Sequence, residues 1–303
     1  MKLKKIVKQV TALSILFTLS VASVPVTTAS AATLNAKQYI ARMEKAQKKV
    51  KSYETKTSMS MEMEAAGEKT VNKATVGQVV FTKPKKIKSI TKATQTRGGK
   101  TKTDTEYLYL KDNGKGKYTE YSSSDGKTFI KTNVSGASSI NSFLKTVDAG
   151  SFSGAKIVKK SVKVDGKNTV QIEMQYTGKD LKKALEKLTK ESGGSSADSQ
   201  EIMDAYDFES FRPIKATYWI DKKTYLPVKM TLEGAGFMED LTNFFVMMMV
   251  NIKDKTVAEN GMETENTDVS MEDMKITVKK FKVSTTYKNY NKAKNFKFPK
   301  TAF

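Results

Sequence analysis

Between Tyr53 and Glu64 the chain alternates. Tyr53, Thr55, Thr57, Met59, Met61 and Met63 share one parity, and Glu54, Lys56, Ser58, Ser60, Glu62 and Glu64 take the other. A period of two predicts a strand with one buried and one wet face. Similar signals follow at 70–82, 86–97, 102–110, 117–122 and 127–133, with turn chemistry at Asp112-Asn113-Gly114 and Asp125-Gly126. Successive strands joined by short turns predict an antiparallel meander. A hairpin is expected at 156–164 and 169–176 around Asp165-Gly166, where glycine permits positive φ. Strands are also expected at 214–220 and 225–232, turning at Asp221-Lys222-Lys223, and at 274–287. An irregular tail with Phe296, Phe298 and Pro299 ends the chain.

The period changes in four places. From Ala36 to Lys51, Tyr39, Ile40, Met43, Ala46 and Val50 make one helical stripe, with Asn35 and Gln38 spaced for a capping box and Leu34 and Tyr39 for a staple. A short helix is expected at 138–147. Thr177 and Asp180 cap another, whose stripe is Leu181, Ala184, Leu185 and Leu188 and whose stop is Gly193-Gly194. The last helix, 234–250, is apolar beyond a single stripe. Phe237, Leu241, Phe244, Phe245 and Met248 share a face, and Met247, Met249 and Val250 widen it. Such a surface needs more cover than one sheet contact supplies. The polar, acid-rich stretch 257–273 reads as a loop. Helices on one face of an antiparallel sheet define an α+β fold.

The first residues change the picture of where the protein works. Lys2, Lys4, Lys5 and Lys8 precede an apolar run from Val10 to Val24, and Ala29-Ser30-Ala31 is a small-residue cleavage site. This is the pattern of a secretory signal peptide over 1–31, with the mature chain beginning at Ala32 or Thr33. The alternative, an uncleaved anchor, fits poorly because the run is short and a cleavage site follows it. The expected organisation is therefore a leader, 1–31, and one domain, 32–303, with an inserted helix and loop at 235–273. The chain has no cysteine, so neither disulfides nor a lipid-anchoring cysteine is available. The expected location is secreted or surface-associated, without a lipid anchor.

The formal charge is +21, and removing the four leader lysines leaves +17. The only arginines are Arg42, Arg97 and Arg212. Base readout favours arginine, so this lysine bias argues against nucleic acid. An anionic lipid surface or cell-wall polymer is the more fitting partner class. The plainer reading is that lysine solvates the outside of a sheet.

Catalysis finds little to use. Without histidine or cysteine, the Ser-His-Asp and Cys-His arrangements and zinc sites built on these ligands are excluded. Gly150 to Gly154 has phenylalanine where a nucleophile belongs. Gly126-Lys127-Thr128 resembles the end of a P-loop, but Tyr121 replaces its first glycine. Ser89–Lys92, Ser142–Lys145 and Ser153–Lys156 have the Ser-x-x-Lys spacing without its companion motifs. Asp204, Asp207 and Glu209, and Glu263, Glu265 and Asp268, cluster without calcium-loop spacing. No enzyme activity, cofactor or metal is expected.

The order of elements is similar to a known group. An amphipathic helix leads into the alternating strand Ser52–Met63. The Asp165–Lys167 hairpin, Trp219-Ile220-Asp221, Tyr225-Leu226-Pro227-Val228-Lys229-Met230 and the Tyr290–Pro299 tail follow. This resembles Gram-positive exported proteins of the LolA/LppX-like superfamily, many without an assigned function. The resemblance implies a curved antiparallel sheet, a half-open barrel wrapped around a few amphipathic helices, with an apolar cavity between. It implies carriage of lipids or lipoproteins and supplies no catalytic residues. The chain departs from lipid-anchored members by lacking the anchoring cysteine and by its insert from Phe237 to Asp273. The expected function is an exported, non-enzymatic carrier or sensor of an apolar ligand. Its expected lining is Met59, Met61, Met63, Phe237, Leu241, Phe244, Phe245 and Met248. The alternative is a structural or adhesive surface protein that binds anionic wall polymer through lysine.

Overall fold

A computed structural model describes residues 34–114, 117–135, 153–191, 206–259 and 275–300. The expected leader, the helix at 138–147, the Gly193-Gly194 stop and the acidic stretch 260–273 lie outside them.

Asn35 opens α1 (Ala36–Gln47). Its side chain accepts from the Gln38 amide, and the Gln38 side chain accepts from the Asn35 amide, both at 2.9 Å. The expected capping box is thus formed. The chain then runs up and down through β1 (Ser52–Ala65), β2 (Glu68–Thr82), β3 (Lys85–Arg97), β4 (Lys100–Asp112), β5 (Lys117–Ser123) and β6 (Ile130–Ser135). β7 (Ser153–Val164) and β8 (Lys167–Tyr176) form the expected hairpin, with Asp165 and Gly166 at φ 47° and 74°. Positive φ at both central residues matches the twist of the flanking strands. Thr177 precedes α2 (Gly178–Glu191), and its amide and hydroxyl both donate to Asp180. A single 3-10 turn (Phe208–Ser210) leads to β9 (Ile214–Asp221), β10 (Pro227–Glu233), α3 (Ala235–Glu259) and β11 (Ile276–Lys288).

Several boundaries differ from expectation: α1, expected to run to Lys51, ends at Gln47, β7, expected from 156, starts at Ser153, and three others have a local cause. β6 starts at Ile130 because the Asp125 carboxylate accepts from the Lys127 and Thr128 amides at 2.8 and 2.9 Å, folding 124–128 into a turn. β10 starts at Pro227 because Tyr225, at φ 58°, still belongs to the turn. α3 continues to Glu259, so the start of the stretch read as a loop at 257–273 is helix. The apolar pattern stops at Val250, but residues 251–259 contain no Gly or Pro to break the backbone.

Among the described residues, eleven strands form one antiparallel sheet in the order β6-β5-β4-β3-β2-β1-β11-β10-β9-β8-β7. The sheet is curved and does not close. The first and last strands made are neighbours at its middle. The edge strand β7 carries Lys156, Lys159, Lys160 and Lys163 and pairs with three register shifts. Both devices discourage pairing with another chain.

Register places the buried parity of each strand in rows across one face. One row reads Ala93, Ala74, Met59, Val283, Leu232, Ala216 and Met174, from β3 to β8. The rows on β1 and β8–β11 form a continuous core with residues of α1, α2 and α3. Each methionine or phenylalanine buried there contributes about 1.5–3 kcal/mol. The opposite face carries Lys56, Lys73, Lys86, Lys88 and Lys92 along β1–β3, as expected for a wet surface.

The tail crosses to that second face. After β11, Asn289 and Asn291 take positive φ, and Asn291 bonds Lys51 and Ser52. Asparagine tolerates this conformation better than other residues with a side chain. Phe296 then meets Phe81 and Tyr109 with ring centroids 5.9 and 5.8 Å apart, and Phe298 meets Tyr121 at 5.5 Å. A small second aromatic cluster results.

Candidate functional site

The candidate lining residues come from two elements. Met59, Met61 and Met63 alternate on β1, the strand at the middle of the sheet, and all three are buried. Phe237, Leu241 and Phe244 lie on α3 at spacings of four and three, and are buried too. All six belong to one continuous apolar cluster. Phe245 sits at its margin, partly buried, and Met247 is placed likewise. The Met248 side chain lies outside the described residues.

On α3, Phe237 and Phe244 pack against rings of β8 and of residues 206–211. Phe244 meets Tyr206 at 4.8 Å, Phe208 at 5.2 Å and Phe211 at 6.4 Å between centroids. Phe237 meets Tyr176 at 5.8 Å and Phe211 at 6.1 Å. Edge-to-face pairs of this kind are favourable beyond their buried area. Tyr206, Phe208 and Phe211 went unread in the sequence. Their signal was three aromatics within six positions beside a polar stretch, too short to show a period.

α3 is held to the sheet by a polar rail as well. At β11 the register with β1 shifts between Glu62 and Met63. The Val278 amide beside this bulge donates to the Glu239 carboxylate at 2.7 Å. One turn on, the Asn243 amide bonds both the N–H and the C=O of Ile276, each at 2.9 Å. Arg212 bridges Glu239 at 2.9 Å and Asp240 at 2.5 Å. Gly236 lies against Arg212, so an added Cβ would come within 2.7 Å of its Cδ. The greasy helix is thus fixed in orientation by hydrogen bonds on one side.

The inner face is not uniformly apolar. Thr57 and Thr285 share a hydrogen bond of 3.0 Å, and Thr55 donates to Gln78 at 3.2 Å. Burial pushes the Tyr53 hydroxyl up to about 12 and holds Tyr287 well above the usual tyrosine range. Farther out, burial and the neighbouring Glu106 raise the Glu120 carboxyl above its ordinary value.

Among the described residues one cleft opens against Tyr206 and Phe208, rings that pack on Phe244, and another opens on the sheet. The first, of about 520 Å³, lies between α2 and residues 206–209, edged by Lys179, Lys182, Lys183, Glu186 and Glu209. Lys179 pairs with Glu209 there at 3.0 Å. The other, about 110 Å³, lies on β7–β9 around Lys156 and Glu173. Asp207, from the first acid cluster read in the sequence, caps the 3-10 turn by accepting from the Glu209 amide. The second cluster lies outside the described residues. No described helix is long and apolar enough to cross a membrane.

A family model described as a family of unknown function, DUF6612, matches residues 35–253. No curated protein matches the chain. Among solved structures, the chain is similar to the Mycobacterium tuberculosis lipoprotein LppX at 10% identity and TM-score 0.40, with 85% of this chain and 95% of that one covered. It is similar to LprF from Mycobacterium bovis at 12% identity and TM-score 0.44, with 88% and 97% covered.

Proposed function

The chain belongs to the DUF6612 family of unknown function, and we propose that it holds an apolar, lipid-like ligand between sheet and helices, as an exported carrier or sensor. The observation that supports this reading is one continuous buried cluster that joins the methionines of β1 to the phenylalanines of α3. Thioethers are unbranched and polarisable, so a wall of them repacks around varied apolar shapes. An acyl chain that displaces Met and Phe side chains exchanges one apolar contact for another, at little cost in transfer energy. The leader pattern over 1–31 supplies the route out of the cytoplasm.

Met59, Met61, Met63, Phe237, Leu241, Phe244, Phe245 and Met248 form the lining in this proposal. Nothing in it requires chemistry: the ligand is held and handed on.

Native mass spectrometry of the protein purified without detergent, followed by extraction and lipid analysis, tests the reading. A stoichiometric co-purifying lipid is expected. A clean apo mass, with no uptake of added lipid, sinks it. Phe245→Asp is the sharper variant, because this partly buried ring can change without opening the middle of the core. Lipid uptake is expected to fall at least tenfold while the far-UV spectrum is kept. Unchanged uptake removes α3 from the site.

A further inference from the structure

The face of the sheet opposite the methionines differs along its width. On β1 and β7–β11 it mixes both signs, and its acids are paired. Glu62 meets Lys69 at 2.6 Å, Glu233 meets Lys282 at 2.6 Å, Glu173 meets Lys156 at 3.5 Å and Glu64 meets Lys279 at 4.0 Å.

On β2–β6 the signs part. Register places Lys73, Lys86, Lys88, Lys92, Lys111 and Lys131 on this outer face. The carboxylates of the same strands, Glu68, Asp104, Glu106, Asp112 and Glu120, all take the opposite parity. The turn at Gly126 lies against Tyr107 on the outer face, and its Asp125 carboxylate is held by two backbone amides. The tail that crosses these strands adds Lys292, Lys294, Lys297 and Lys300, and no acid follows Lys288. A face that only had to stay wet would intersperse both signs, as the other half does. One sign repeated across five strands repels itself, and an anionic partner offsets that repulsion.

The groups between the lysines narrow the partner. Lys86 stands over the rings of Phe81 and Phe296, 4.7 and 5.0 Å from their centroids, and Lys88 over Tyr109 at 5.6 Å. Tyr109, Tyr121, Phe296 and Phe298 are half-buried, and Ile90, between Lys88 and Lys92 at the same parity, is 37% exposed. A soluble polyanion calls for charge alone. Ammonium groups interleaved with part-exposed rings and an aliphatic side chain suit a lipid surface, where phosphates lie beside the acyl boundary.

We propose that the outer face of β2–β6, with the tail across it, is a docking surface for a bilayer rich in anionic lipid. It is independent of the lipid-holding reading, since it needs no cavity and uses the face opposite the methionines.

Flotation with vesicles of dioleoylphosphatidylcholine, plain or with about 30% dioleoylphosphatidylglycerol, tests it. The protein without residues 1–31 is expected to float with the anionic vesicles alone. Lys73→Gln, Lys92→Gln and Lys111→Gln together remove three exposed ammonium groups from the patch. They are expected to weaken binding roughly hundredfold, about fivefold for each lysine. Lys159→Gln, Lys160→Gln and Lys163→Gln make the same change of charge on β7, at the far edge of the sheet. At physiological salt that triple is expected to cost less than about fivefold, because charges so distant are screened. Equal losses in the two triples reduce the effect to net charge and overturn the assignment of this face. Undiminished binding in the first triple overturns it too. Retention on polyglycerol phosphate with no vesicle binding gives the lysines to a wall polymer, and binding to neither leaves them as solvating groups. Either result sinks the membrane assignment and leaves the carrier reading standing.

Discussion

Asn243 bonds both backbone groups of Ile276, so a single side chain does at the start of β11 what a neighbouring strand would otherwise do. Ile276 is 1% exposed, and water cannot take over. Asn243→Ala is therefore expected to destabilise the protein by about 2–4 kcal/mol, read from denaturant unfolding, because two sealed groups lose their partners at once. Charge at the residue scale gives a second expectation. Asp125 accepts from two backbone amides and the Ser123 hydroxyl, and these hold its carboxyl down at about 2. A carboxyl depressed in the folded state stabilises it above the ordinary carboxylate pKa, and the contribution is lost as pH falls toward 2. The Lys127 and Thr128 amide resonances should report that loss between about pH 4 and pH 2. Glu120 has the opposite sign. Its raised pKa means the folded state is favoured by protonation, and stability falls as pH rises through that value. Glu120→Gln is expected to gain roughly 0.5 kcal/mol at pH 7, a small figure because the group is partly solvated. Parity made Met59 and Met61 legible as buried; Asn72 and Gln78, which register places on the same face, went unread. Their hydrogen bonds were not legible, since partners on other strands depend on register.

At the scale of elements, periodicity read most of the molecule. The α1 box, the β7–β8 turn and the α2 cap were each specified by residues within four positions, and local geometry settles such features. α3 shows the limit. Its apolar stripe ended at Val250 and so did the expected helix, yet the backbone follows propensity and runs to Glu259. The tail shows another. Phe296 and Phe298 were visible as aromatics, but their partners Phe81, Tyr109 and Tyr121 lie on three strands that only the assembled sheet brings together. Replacing both phenylalanines by alanine is expected to cost about 2–4 kcal/mol in all, allowing for their partial burial. Amide exchange should quicken in β4 and β5, which the tail covers, and stay slow in β9 and β10.

For the whole molecule, the order of strands matters more than their number. Neighbouring strands joined by tight turns were readable one hairpin at a time. The pairing of β1 with β11 was not, because Glu54 and its partner Lys288 are joined by no turn and mark each other with no motif. The matched family segment ends at residue 253, before β11. A chain cut after residue 275 keeps that segment and loses a strand from the middle of the sheet. It is expected to show no cooperative melt by near-ultraviolet circular dichroism. A chain cut after residue 288 keeps β11 and is expected to melt cooperatively at a lower temperature, lacking only the tail.

The same neighbours give the molecule an order in time. Synthesis begins at the N-terminus, so β1 is made first among the strands and β11 last. β2 to β6 can zip onto one side of β1 as they appear, and β7 to β10 can pair among themselves. Through all of that the other side of β1 has nothing to bind, and neither has the free side of β10. Contacts so distant in sequence form slowly. The nascent protein is therefore two leaves with facing open seams, and its last strand is the spine that binds them into one book.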